Sequence, residues 1–262
     1  MFPYHQRQIK NFLRRVFGRV RYEITGLEHV PQSGPAIIIM NHTGWEEILL
    51  TILAVPRPLK IVGMRELMYL DDARSLARAF DSTYAKDFGP VRRQLTAWLG
   101  AMLGGALRRQ LREFGYIPTK VFAENWPPTL GSNGLREVVQ ALEGGEVVLI
   151  FPEGGYKRDG VMRPFKRGLG LILRLLDRRG LRVPIISAAQ HTAGCISLSL
   201  GSRYLARLAF APPLIFDPGE NSTDSFDEYV VRTLQDQVNA LLPRVWREAP
   251  PQNYAPMEST FT

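Results

Sequence analysis

Ala36-Ile37-Ile38-Ile39-Met40-Asn41-His42 opens with five apolar residues and ends in two polar ones whose side chains can hydrogen-bond. A short apolar run rich in β-branched residues, with no polar alternation, predicts a strand covered on both faces, as in a parallel sheet layered with helices. Further runs of this kind are Arg21 to Thr25, Leu59 to Met64, Tyr116 to Phe122, Glu146 to Phe151, Val183 to Ala189 and Leu205 to Ala211. Helical spacing fills the gaps between them, which predicts an α/β fold with a mixed, largely parallel sheet flanked by helices. Ligands in such folds meet the carboxyl ends of the strands, so Asn41 and His42 stand where a site is expected.

Three segments flank or interrupt this pattern. Before Glu23 there is no acidic residue, whereas Arg7, Lys10, Arg14, Arg15, Arg19 and Arg21 are all basic. Ile9, Phe12, Leu13, Val16, Phe17 and Val20 recur at helical spacing, so residues 1–20 are expected to form a basic amphipathic helix. Packing on the domain and lying on an anionic membrane surface both fit that helix. The α/β domain is expected over 21–248 with a helical insertion at 71–114, where Val91, Leu95, Trp98, Leu99, Met102, Ala106 and Leu111 keep helical spacing. Gly100, Gly104 and Gly105 weaken a helix there, and close packing is the expected compensation, with a lipid-facing role as the alternative. A helix containing Tyr229, Val230, Leu234, Val238 and Leu241 should run to about Val245, and the polar tail 249–262 is expected to be disordered.

Composition removes several classes of function. At 262 residues, 45% hydrophobic, the chain can bury a full core. Cys195 is the single cysteine, so a disulfide framework and a cysteine-rich metal site are both excluded. There is no His-Glu-x-x-His and no phosphate-binding Gly-x4-Gly-Lys-Ser/Thr loop, so no metal and no cofactor are expected. A formal charge of +8 implies polyanionic partners, among them an anionic membrane surface or an acidic co-substrate. Arg14, Arg15, Arg19 and Arg21 break up any secretory apolar core, and the uncharged stretch from Val183 to Ser202 carries Pro184, Gln190, His191 and Thr192, which disfavour insertion. A cytoplasmic protein, peripheral at the inner face of the membrane, is the expectation.

Of the four histidines, His42 alone has a setting that suggests catalysis. Glu47 follows five positions later at the start of a helical pattern, with Gly44 permitting a turn between them. A carboxylate that accepts one imidazole N–H fixes the tautomer and stabilises the imidazolium formed when the other nitrogen takes a proton; Glu46 competes for that role. A second cluster follows the strand ending at Phe151: Pro152-Glu153-Gly154-Gly155-Tyr156-Lys157-Arg158, then Arg163-Pro164-Phe165-Lys166-Arg167. Proline fixes the backbone, paired glycines allow close approach of a ligand, and the basic residues suit a phosphate.

Asn41-His42-x4-Glu47, Phe151-Pro152-Glu153-Gly154 and Val183-Pro184-Ile185-Ile186 resemble the first, third and fourth motifs of the glycerolipid and lysophospholipid acyltransferase family, 1-acylglycerol-3-phosphate acyltransferases among them. The resemblance implies His42 as general base and Glu47 as its orienter. It also implies that Glu153 and Gly154 help to hold the acceptor, with Gly155, Lys157, Arg158, Lys120 and Lys166 as further substrate-binding residues. The implied reaction moves a fatty acyl group from acyl-CoA or acyl carrier protein to a hydroxyl of a lysophospholipid or related lipid. Glu47 stands where the family usually has aspartate, and Lys120 and Lys157 stand near positions where it has arginine. A lysine is a point charge and not a bidentate fork, which leaves a non-phosphate lipid or glycolipid acceptor open. The rival reading is a non-catalytic basic protein on anionic membrane or nucleic acid; with the motifs in place, nucleic acid is not expected.

Overall fold

The computed structural model describes residues 4–16, 21–42, 46–64, 90–119, 133–154, 162–193, 205–218 and 226–245. Six helices lie among them: α1 Tyr4–Val16, α2 Glu46–Ala54, α3 Pro90–Phe114, α4 Asn133–Glu143, α5 Gly168–Asp177 and α6 Phe226–Val245. The strands are β1 Arg21–Thr25, β2 Ala36–Met40, β3 Leu59–Met64, β4 Tyr116–Thr119, β5 Val147–Ile150, β6 Ile185–Ala193 and β7 Leu205–Phe210. Two compact units result, Met1–Leu59 with Val138–Thr262, and Lys60–Glu137.

In the first unit the strand order is β1-β7-β6-β2-β5. β2 lies between β6 and β5 and is parallel to both, with Ile39 opposite Ile150 of β5 and Met40 opposite Ala188 of β6. The β6–β7 pair is antiparallel, and β1 runs parallel to β7 with Glu23 opposite Arg207. The sheet is therefore mixed and mostly parallel, as expected. Every residue of β2 and β5 is buried, which explains why both read as unbroken apolar runs. β6 extends past the expected Ala189 to Ala193, because pairing with β7 gives Gln190, His191 and Thr192 ladder partners despite their polarity.

α5 and α6 pack together over this sheet, joined by an Arg174–Asp227 ion pair at 3.0 Å and a second between Arg167 and Glu228. Phe226, Val230, Leu234 and Val238 of α6 are fully buried at i, i+4, i+8 and i+12. Arg57 ties three loops by donating to the carbonyls of Pro31, Gly34 and Gly145.

α1 is a helix as expected, but its inner face coincides only in part with its apolar stripe. Gln6, Lys10 and Leu13 are buried, whereas Phe12 is 64% exposed. Gln6 donates to the Leu59 carbonyl, and the Lys10 ammonium donates to the Val55 carbonyl at 2.6 Å, just past the end of α2. Burial, with the Arg14 charge adding to it, lowers the Lys10 pKa to about 8. Phe17 and Val20 lie outside the described residues, as does the tail 249–262.

In the second unit β3 and β4 pair in parallel, Ile61 opposite Tyr116. α3 leads into β4 through Gly115, whose positive φ of 97° makes the reversal. α3 falls in the expected helical insertion; residues 65–89 are outside the described set. Of the apolar residues expected to pack, Leu95, Trp98 and Met102 are each more than half exposed, as is Leu103 beside them, whereas Leu111 is half-buried.

Candidate active site

β2 and β5 lie side by side, so the residues just past their carboxyl ends are neighbours. Past β5, Phe151-Pro152-Glu153-Gly154 forms a tight turn closed by the Gly154 N–H on the Phe151 carbonyl. Proline at the second position and glycine at the fourth suit such a turn. Gly154 has φ 66°, and a Cβ there would lie 2.8 Å from Cε of Lys166, whose aliphatic stem passes over it. The Lys166 N–H donates to the Pro152 carbonyl, so the second basic segment folds back onto the turn.

Glu153 is 1% exposed, and each of its carboxylate oxygens accepts a main-chain N–H. Oε1 takes the N–H of His42 at 2.6 Å, and Oε2 that of Arg163 at 2.7 Å. Charge-assisted bonds of this length are strong, and they hold three segments in fixed register. The His42 ring is half-buried and stacks in a tilted arrangement on Phe151, ring centres 4.5 Å apart. His42 and the Phe-Pro-Glu-Gly turn thus share one end of the sheet.

On the other side of β2, Asn41 closes onto β6. Its amide donates to the Gln190 carbonyl and accepts the Gln190 N–H, a side-chain copy of a strand-to-strand pairing. The Gln190 side-chain oxygen accepts from the Thr51 hydroxyl of α2 at 3.1 Å. Asn41, Thr51, Ser187 and Gln190 are all buried. The main chain of His42 is therefore held through Asn41 on one side and Glu153 on the other.

His42, Glu153, Gly154 and Lys166 are brought together as the sequence suggests. Glu47 lies in the first turn of α2, its side chain outside the described set, and Lys120, Gly155, Lys157 and Arg158 also lie outside it. The resemblance gives Glu153 a part in holding the acceptor; its partners here are the main chains of His42 and Arg163. Sequence reasoning missed Gln190 and Thr51. The available signal was a lone glutamine in the small apolar run Ser187-Ala188-Ala189, since a polar side chain in a buried strand must find a partner.

No group of three or more histidine, cysteine, aspartate or glutamate side chains suited to a metal occurs among the described residues. What the geometry supplies is an imidazole at a strand end, with its backbone clamped and its ring against an aromatic wall, an arrangement suited to proton transfer. Residues 21–190 match the family model described as Acyltransferase, and the chain belongs to that family. Among solved structures it is similar to the 1-acyl-sn-glycerophosphate (LPA) acyltransferase PlsC from Thermotoga maritima, with 18% identity and a TM-score of 0.50. That match covers 90% of this chain and 79% of the other, and it shows a shared fold. A search of curated proteins returned no match.

Proposed function

We propose that this acyltransferase moves a fatty acyl group from a thioester carrier, acyl-CoA or acyl carrier protein, to a hydroxyl of a lysophospholipid. His42 Nε2 takes the hydroxyl proton as the acceptor oxygen attacks the thioester carbonyl carbon. The carbon–sulfur bond then breaks, and the departing thiolate takes the proton back from the imidazolium. The observation that carries this reading is the doubly clamped position of His42 at the carboxyl end of β2 in a chain of this family. General base catalysis of this kind contributes roughly 10²–10⁴-fold, positioning the remainder.

Glu47 is read as the carboxylate that accepts the second imidazole N–H. It sits one helical turn before Thr51, so the Thr51–Gln190 bond sets the direction of that helix face. Glu153 is read as a positioning residue that fixes the His42 main chain. An anionic acceptor is favoured by Lys166 over the turn. Lys120, Gly155, Lys157 and Arg158 complete the proposed substrate-binding set. Working at the inner face of the membrane follows from lipid substrates and a basic chain.

The test is thiol release from acyl-CoA by the purified full chain, with and without lysophospholipid. Acceptor-dependent release that His42→Ala abolishes, with circular dichroism and melting unchanged, is the expected result. Release independent of acceptor would make the protein a thioesterase; near-normal transfer by His42→Ala would remove the base from the mechanism. A glycolipid alcohol assayed beside lysophospholipid separates the two acceptor classes.

A further inference from the structure

The second unit carries a surface that the acyl-transfer site does not use. α3 spans 25 residues, about 37 Å, yet among its residues with described burial only Gly104 and Phe114 are buried. Leu95, Trp98 and Met102 fall at i, i+3 and i+7 on one face and are 56%, 59% and 58% exposed; Leu103 and Leu107 widen the stripe. A contiguous apolar face of this size on a soluble surface marks a contact.

Charge selects the occupant. Arg92 and Arg93 precede the stripe, Arg108, Arg109 and Arg112 follow it, and Glu113 is the helix's single acid. An apolar band with tryptophan, bracketed by arginines, matches the boundary of an anionic bilayer, where apolar groups enter the acyl region and cations meet the headgroups. Self-association by this face would press the arginine clusters of two copies together with little opposing charge. Spanning is excluded by length: Leu95 to Leu107 covers roughly 20 Å, against about 30 Å of hydrocarbon core, and among the described residues no helix is long and apolar enough to cross a membrane.

We infer that α3 docks in the plane of an anionic lipid surface through Leu95, Trp98 and Met102, and is the chain's principal membrane contact. This deepens the reading of a membrane-surface enzyme, yet it concerns binding alone and stands or falls without turnover. It also reassigns the contact from α1, which buries Gln6, Lys10 and Leu13 against the domain and, among its described side chains, exposes one large apolar group, Phe12.

The experiment is sedimentation of the full chain with phosphatidylcholine vesicles, alone and with added phosphatidylglycerol, for wild type, Leu95→Gln/Trp98→Gln/Met102→Gln and Phe12→Gln. All four positions are exposed, so folding should survive, and the melting temperature checks it. Wild type should partition to the anionic vesicles, more weakly as salt rises. The triple variant should lose on the order of tenfold or more, and Phe12→Gln much less. Transfer to a short-chain, water-soluble lysophospholipid should be unchanged in the triple variant. Undiminished vesicle binding by the triple variant overturns the inference. So does a wild-type dimer that this variant dissolves in analytical ultracentrifugation with vesicle binding unchanged, since a second copy would then be the occupant. Vesicle binding without any acyl transfer would count against the proposed function and leave this inference standing.

Discussion

The Glu153 carboxylate and the main-chain N–H of His42 lie 2.6 Å apart although 111 residues separate them in the chain. This bond predicts how Glu153→Gln behaves. An amide offers one acceptor oxygen and turns an NH₂ toward the second backbone N–H, so either the His42 or the Arg163 bond is lost. Each buried donor left unmet costs about 1–3 kcal/mol. Steady-state kinetics should show kcat falling with KM for the acceptor little changed. A rise in KM alone would instead assign Glu153 to acceptor binding.

Asn41 and Gln190 give a second prediction. Asn41→Ala removes both bonds to the Gln190 main chain inside a buried sheet and should lower stability by about 2–4 kcal/mol, read by urea unfolding. Thr51→Val keeps the shape and loses the hydroxyl bond to Gln190 together with a weak one to the Met40 sulfur. It should cost about 1 kcal/mol, yet reduce kcat if α2 must aim Glu47 at His42.

Gly154 is in the left-handed region at φ 66° under the Lys166 stem. Gly154→Ala should therefore cost about 1–2 kcal/mol from the backbone alone. Displacement of Lys166 should also raise KM for an anionic acceptor more than for a neutral one. Equal KM changes for both acceptors would show that Lys166 does not meet the headgroup.

Lys10 gives a pH dependence. Its pKa falls from the ordinary 10.5 to about 8 through burial, with Arg14 contributing. Below about pH 8 both folded and unfolded chains carry the proton, and the cost of burying the charge is fully present. Between about 8 and 10.5 the unfolded chain holds more protons, so stability rises with pH, and above 10.5 the penalty is gone. The stability of wild type relative to Lys10→Met should therefore climb across this window in denaturant titrations at stepped pH. A flat difference would place the ammonium in water.

Much of the fold could be read because the strands announce themselves. β2 and β5 are unbroken apolar runs because every one of their residues is buried, so sequence pattern and burial coincide. α6 ends at Val245, where its apolar spacing puts it. α1 shows where this fails: hydrophobic periodicity cannot foresee that Lys10 will snorkel to a carbonyl at a helix end while Phe12 stays outside. His42 and the Phe-Pro-Glu-Gly turn were legible as local motifs. The Glu153 clamp and the Asn41–Gln190–Thr51 chain were not, because each joins residues whose proximity is made by strand order, which no local spacing encodes.

The pairing of β1 with β7 carries a consequence for the making of the protein. Glu23 and Arg207, joined at 2.9 Å, are separated by 184 residues, so β1 leaves the ribosome far ahead of β7, the strand it pairs with. Loop closure on that scale is slow. While the intervening residues are added the nascent chain must carry an unzipped edge, and a product truncated before Leu205 would leave β1 without β7 and open to chaperones or aggregation.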